Sequence, residues 1–140
     1  MRFMLIRKAD KETEAGVLPS EQMLAAMMKY NEEMVKAGVM LQGEGLHASA
    51  KGARVKFSGG KPAVIDGPFT ETKELIAGFT MIQVKSKEEA IEWVKRWPAI
   101  DAEAEIEIRQ VFEAEDFGPA LTPEIRKPEE RLRKRTAGKR

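Results

Sequence analysis

The chain has 140 residues, one His, no Cys, and 24 Lys and Arg against 23 Asp and Glu, enough for one domain of ordinary size. Without thiols there is no disulfide framework, thiolate zinc site, iron–sulfur cluster or cysteine nucleophile, and one imidazole excludes multi-His metal sites within a chain. The net charge of +1 conceals a division, since residues 125–140 carry 8 basic and 2 acidic side chains and residues 1–124 carry 16 and 21; an acidic body argues against nucleic-acid binding by the fold, which would need a positive face.

Residues 2–7, RFMLIR, form a short apolar run bounded by charge and read as a buried strand. The run is too short for a signal peptide or membrane span, so the expected location is the cytoplasm. EAGVLPS reads as a loop. Ser20 is placed to cap a helix over residues 21–37 that Gly38 stops. At helical spacing Met23, Leu24, Met27, Met28, Tyr30, Met34 and Val35 fall in one sector, with charged residues opposite. Asn31 interrupts that sector. It either hydrogen-bonds buried backbone or lines a pocket under the helix.

VMLQGEG, residues 39–45, reads as the next strand. RVKF, Ser58-Gly59-Gly60 and PAVID predict a β-hairpin, because tight hairpin turns demand positive φ. DGPFTETKELIAG follows as a turn with one helical turn, and FTMIQV, 79–84, as a strand. Ser86 with Glu89 forms a capping box opening a helix that Pro98 closes, its buried face carrying Ala90, Ile91, Val94 and Trp97. In EIEIRQVF, 105–112, Ile alternates with charge as in a half-solvated strand. The order βαβ, hairpin, βαβ predicts an α+β, ferredoxin-like sandwich with both helices on one sheet face. The other face is expected to be buried by a second copy, giving a homodimer. Residues 1–113 are read as the domain. Residues 114–140 are read as a polar extension, helical from Thr122-Pro123, broken at Pro128 and disordered at its basic end.

Gly43-Glu44-Gly45-Leu46-His47-Ala48 matches a relaxed dinucleotide fingerprint, but the fingerprint needs a helix starting at the glycines, and here a loop feeds a hairpin. No P-loop, G-x-S-x-G elbow or EF-hand loop is present. His47 belongs to the one side-chain class that ordinarily titrates near neutrality and sits at a strand end, where functional groups are often presented. A carboxylate partner would make it a usable general base, and Asp66 is the natural candidate. The plainer reading makes His47 an exposed loop residue and Asp66 a turn former ahead of Gly67-Pro68. Glu71, Lys73 and Glu74 read as surface charge, although Gly-Pro and Phe69 indicate a loop held in one shape. Arg54 and Arg109 complete the candidate substrate-binding set with Asn31, Phe69, Glu71 and Lys73.

DGPFTETKE followed by GF and an apolar strand, then SKEEAIEW before Pro98 and EIRQVFEAEDFG, resembles the YCII-related domain family in its DGPF branch, over essentially the whole chain. The resemblance implies a ferredoxin-like fold that dimerises into an α+β barrel. It also implies a suspected enzymatic function tied to a recurrent His and Asp, with Asp66 matching the motif, and one relative acts in dehydrochlorination of a chlorinated aromatic. Branch members fused to sigma factors suggest instead a sensory or accessory role in transcription. The expectation is a small-molecule-binding homodimer with His47 and Asp66 as an acid/base pair in an inter-subunit cleft. No metal and no cofactor is expected, nor a membrane or nucleic-acid partner.

Overall fold

The structure, a computed structural model, describes residues 1–139. Residues Met1–Gln110 form one compact unit, and those from Val111 onward a second. The first unit contains, in order, β1 (Arg2–Lys8), α1 (Lys11–Glu14), α2 (Glu21–Lys36), β2 (Met40–Gly45), β3 (Ala53–Ser58), β4 (Lys61–Asp66), β5 (Ile76–Gln83), α3 (Lys87–Lys95) and β6 (Ile106–Gln110). The fold is α+β. Strands β2, β5, β1 and β6 form a four-stranded sheet in that order, antiparallel at every pairing, and β3 and β4 form a separate two-stranded hairpin.

Local signals act where expected. Ser20 Oγ accepts from the Met23 N–H at 3.1 Å, and Gly38 follows α2 at φ 72°. Gly59 and Gly60 hold φ of 58° and 81°, the paired positive values that let two-residue turns match strand twist. Ser86 caps α3 through the Glu89 N–H at 3.1 Å. The reciprocal half of the expected capping box is absent: the Glu89 carboxylate takes the Lys85 N–H instead, at 2.9 Å. β5 begins at Ile76, three residues before the expected strand, and a single helical turn, α1, capped by Asp10, precedes the segment read as a loop and shares only Glu14 with it.

One sheet face packs under α2 and α3. Phe3 and Leu5 of β1, Thr80 and Ile82 of β5, Tyr30 and Met34 of α2 and Ala90 of α3 are buried there. Fully burying side chains such as Phe3, Leu5, Met34 and Ile82 stabilises by about 2 kcal/mol each. The α2 apolar sector is narrower than its sequence suggests. Leu24, Met28 and Val35 are 56%, 64% and 61% exposed, because a straight helix resting on a sheet buries only the stripe through Met23, Met27, Tyr30 and Met34. The opposite sheet face presents half-buried Met4, Ile6, Phe79 and Met81.

In the second unit, Phe112 stacks on Phe117 with centroids 5.0 Å apart, and α4 runs Pro123–Ala137. The expected break at Pro128 is not found, since α4 runs through it to Ala137. One proline removes a single intrahelical N–H, and the ion pairs of Arg126 with Glu130 and Arg133 with Glu129 support the helix across that point.

Candidate functional site

The first unit encloses a cleft of about 830 Å³ between α2 and the sheet. Its floor follows from strand alternation. Gly43 and Gly45 lie on one face of β2, and their partners across the ladder are Thr80 and Gly78 of β5. The three glycines, Gly43, Gly45 and Gly78, line the cleft, and a Cβ on Gly43 would meet the Met40 side chain at 2.7 Å. A Cβ on Gly78 would meet the Glu44 carbonyl at 2.9 Å, whereas one on Gly45 would project into open space. The glycines that mimic a nucleotide fingerprint are therefore the floor of a cavity.

Met23, Met27 and Asn31 of α2 form one wall, Leu46, His47 and Ala48 a lip after β2, and Trp97 with Ile100 the far side. Asn31 takes the second of its two sequence readings. It lines the cleft, and its buried Oδ1 has no hydrogen-bond partner among the described residues. His47 is exposed at the lip.

At the end of the cleft Arg7 is clamped. Its Nη2 and Nε donate to Asp101 at 2.6 and 3.2 Å, and its Nη1 donates to Asp10 at 3.1 Å and to the Lys8 carbonyl at 2.6 Å. Trp97 Nε1 adds a bond to Asp101 at 3.0 Å. The Asp101 hydrogen bonds raise the Arg7 guanidinium above its ordinary range against the opposing effect of burial. The Thr13 N–H, joined by Arg7, holds the Asp10 carboxyl below its ordinary range. Such charge-assisted, two-point pairing makes Arg7 a structural cation rather than a free anion receptor.

The other predicted site residues do not line the cleft. Asp66 ends β4, exposed and paired in register with Ala53. Arg54 lies over the Phe69 ring, 3.9 Å from its centroid. Glu71 and Lys73 are exposed around a one-turn helix at Thr72–Glu74, and Arg109 on β6 pairs with Glu107 at 3.1 Å. The DGPF segment is held tightly: Glu14 accepts from the Ser49 N–H at 3.0 Å and from its Oγ at 2.5 Å, while Ser49 Oγ accepts from the Phe69 N–H at 2.9 Å. The Gly67 N–H donates to the Gly52 carbonyl at 3.0 Å, the Gly67-Pro68 bond is cis, and a Cβ on Gly67 would lie 1.7 Å from the Ser49 carbonyl oxygen.

The sequence reading missed Arg7, Asp101, Trp97 and the glycine floor. Only the floor had a local signal, the i, i+2 spacing of Gly43 and Gly45 that a strand turns to one face. Among the described residues no helix is long and apolar enough to cross a membrane, and no group of three or more His, Asp or Glu is arranged to hold a metal.

A relative from Rhizobium meliloti (strain 1021), itself uncharacterised, is 31% identical over 75 residues, covering 54% of this chain. The chain spans 60% of that relative's length. Among solved structures, 5-chloro-2-hydroxyhydroquinone dehydrochlorinase from Burkholderia phenoliruptrix AC1100, in complex with 2,5-dihydroxybenzoquinone, aligns with a TM-score of 0.44 and 16% identity, over 81% of this chain and 95% of that one. A likeness at that level says nothing about chemistry. The model of the YCII-related domain matches residues 1–115, most of the chain, and the protein belongs to that family.

Proposed function

We propose that this protein binds a small organic molecule in the glycine-floored cleft under α2, with His47 at the lip as the group able to move a proton. The observation that carries the reading is a cavity large enough for a small ligand with Asn31 in its wall, whose Oδ1 is out of reach of solvent and has no hydrogen-bond partner among the described residues, so that a small turn of the amide would offer it to a bound donor. An imidazole within reach of a bound molecule can accept or donate a proton at neutral pH, which suits acid/base chemistry such as elimination or isomerisation. Asp66 is assigned to loop architecture. The ligand site is assigned to a cleft within one chain rather than to a cleft between subunits.

The strand order, with the hairpin set aside, supports a ferredoxin-like reading. The apolar centre of the free sheet face, Met4, Ile6, Phe79 and Met81, supports a homodimer formed through that face.

Gly45 provides the test of the cleft. A Cβ there meets nothing within 4 Å and the residue does not need positive φ, so Gly45→Leu fills the cavity without straining the backbone. The variant is expected to fold with an unchanged circular dichroism spectrum and to lose the amide shifts that an aromatic fragment panel induces at Asn31, Leu46 and Thr80. Fragment shifts that persist unchanged in Gly45→Leu would place binding elsewhere.

A further inference from the structure

The charged groups around the cleft specify more than its existence. Asp10, Glu12, Asp101 and Glu103 line it together with one guanidinium, Arg7, and no Lys contributes to the lining. Glu44 also borders it, but strand alternation turns its side chain toward Phe79 on the opposite sheet face. Arg7 is held by Asp10 and Asp101 with three hydrogen bonds and by the Lys8 carbonyl with a fourth, so this cluster alone leaves one uncompensated negative charge. Glu12 and Glu103 are exposed and form no ion pair among the described residues. A low-dielectric wall of Met23, Met27 and Trp97 beside these carboxylates concentrates a negative potential inside the cleft.

The second observation is independent of charge. The orphan Oδ1 of Asn31 calls for a hydrogen-bond donor. A carboxylate or phosphate brings only acceptors, and an ammonium brings only donors. The terminal torsion of an Asn side chain is broad and soft, so the oxygen can turn to meet a bound N–H.

Building on the ligand-site reading above, we propose that the cleft selects an organic cation: an ammonium compound with an aromatic or branched apolar body, its N–H groups directed to Asn31 Oδ1 within the field of Glu12, Glu103 and the Asp10–Arg7–Asp101 cluster, its body against Met23, Met27 and Trp97. Anionic metabolites of the same size are excluded by the carboxylates and by the acceptor in the wall.

The test uses three probes that share one phenyl body, phenethylamine, phenethyl alcohol and hydrocinnamate, titrated into the full chain by calorimetry and followed by amide shifts. The amine is expected to bind at least about tenfold tighter than the carboxylate at low ionic strength, with the alcohol between them and the gap narrowing in high salt. Glu12→Gln with Glu103→Gln is expected to shrink the gap between amine and alcohol, and Asn31→Leu to weaken both. Equal or tighter binding of hydrocinnamate, or an amine preference indifferent to salt and to both Gln substitutions, overturns the cation assignment. The alcohol separates the two readings. If it binds in a manner abolished by Gly45→Leu while the amine gains nothing over it, the cleft is a ligand site without cation selectivity. If none of the three binds, both readings fail.

Discussion

Tyr30 ties α2 to α3 through both ends of its ring. The side chain is buried, its hydroxyl donates to the Trp93 carbonyl at 2.6 Å, and its ring meets Trp97 edge to face at 5.6 Å. Burial disfavours the phenolate and pushes its pKa from 10.0 to about 12. A raised folded-state value means that this contribution is fully present below the unfolded pKa and is lost as pH rises through the window between 10.0 and about 12. Urea denaturation across that window is expected to show falling stability, and Tyr30→Phe to flatten the fall while costing about 1 kcal/mol at neutral pH for the stranded carbonyl. Arg7 makes a second residue-scale case. Its side chain and that of Asp101 are 15% and 11% exposed, so Arg7→Met leaves two half-buried carboxylates uncompensated and is expected to cost about 3 kcal/mol in urea denaturation. Arg7→Lys recovers only part, because an ammonium cannot make the two-point contact. Nothing near Arg7 in the chain announces this role; Asp101 lies 94 positions away.

The hairpin and the DGPF segment show how a recognisable motif and a functional site differ at the scale of elements. Gly59-Gly60 made the hairpin legible, because turn chemistry is a property of adjacent residues. The DGPF segment was equally legible as a rigid loop. Its partners were not: Glu14 reaches Ser49 across 35 positions, and Ser49 reaches Phe69 across 20. Together these bonds fasten the β4–β5 connection to the loop whose preceding residues, Leu46 and His47, form the cleft lip. Ser49→Ala strands the Phe69 N–H and leaves Glu14 only the Ser49 N–H, and is expected to cost about 1–2 kcal/mol and to speed hydrogen exchange at Phe69 while leaving core amides such as Leu5 and Ile82 protected. Gly67→Ala is expected to be worse, since the added carbon meets backbone rather than a movable side chain. Equal exchange at Phe69 in Ser49→Ala and the parent would refute this account of the loop.

Over the molecule as a whole, two sheet faces have different fates. The helix-facing side holds the core and the cleft; the other presents Met4, Ile6, Phe79 and Met81 between Gln42 and Glu44 on one edge and the Glu107–Arg109 pair on the other. An apolar centre with a polar rim is the composition of a protein interface. Ile6→Glu, at a position that pairs with Phe79 and Glu107, is expected to leave the fold intact and to convert a dimer to a monomer in sedimentation velocity. A monomer in the parent protein, or a dimer unaffected by Ile6→Glu, would remove that face from the interface. By itself the sequence determined the caps at Ser20 and Ser86, the hairpin turn, the α+β element order and the family, because each depends on residues a few positions apart. Only the tertiary structure decided which flank of α2 is buried, that Asn31 faces a cavity, that glycines from two strands meet as its floor, and that Arg7 closes its end against Asp101. Those outcomes depend on strand order and register, which bring together residues that no local period relates.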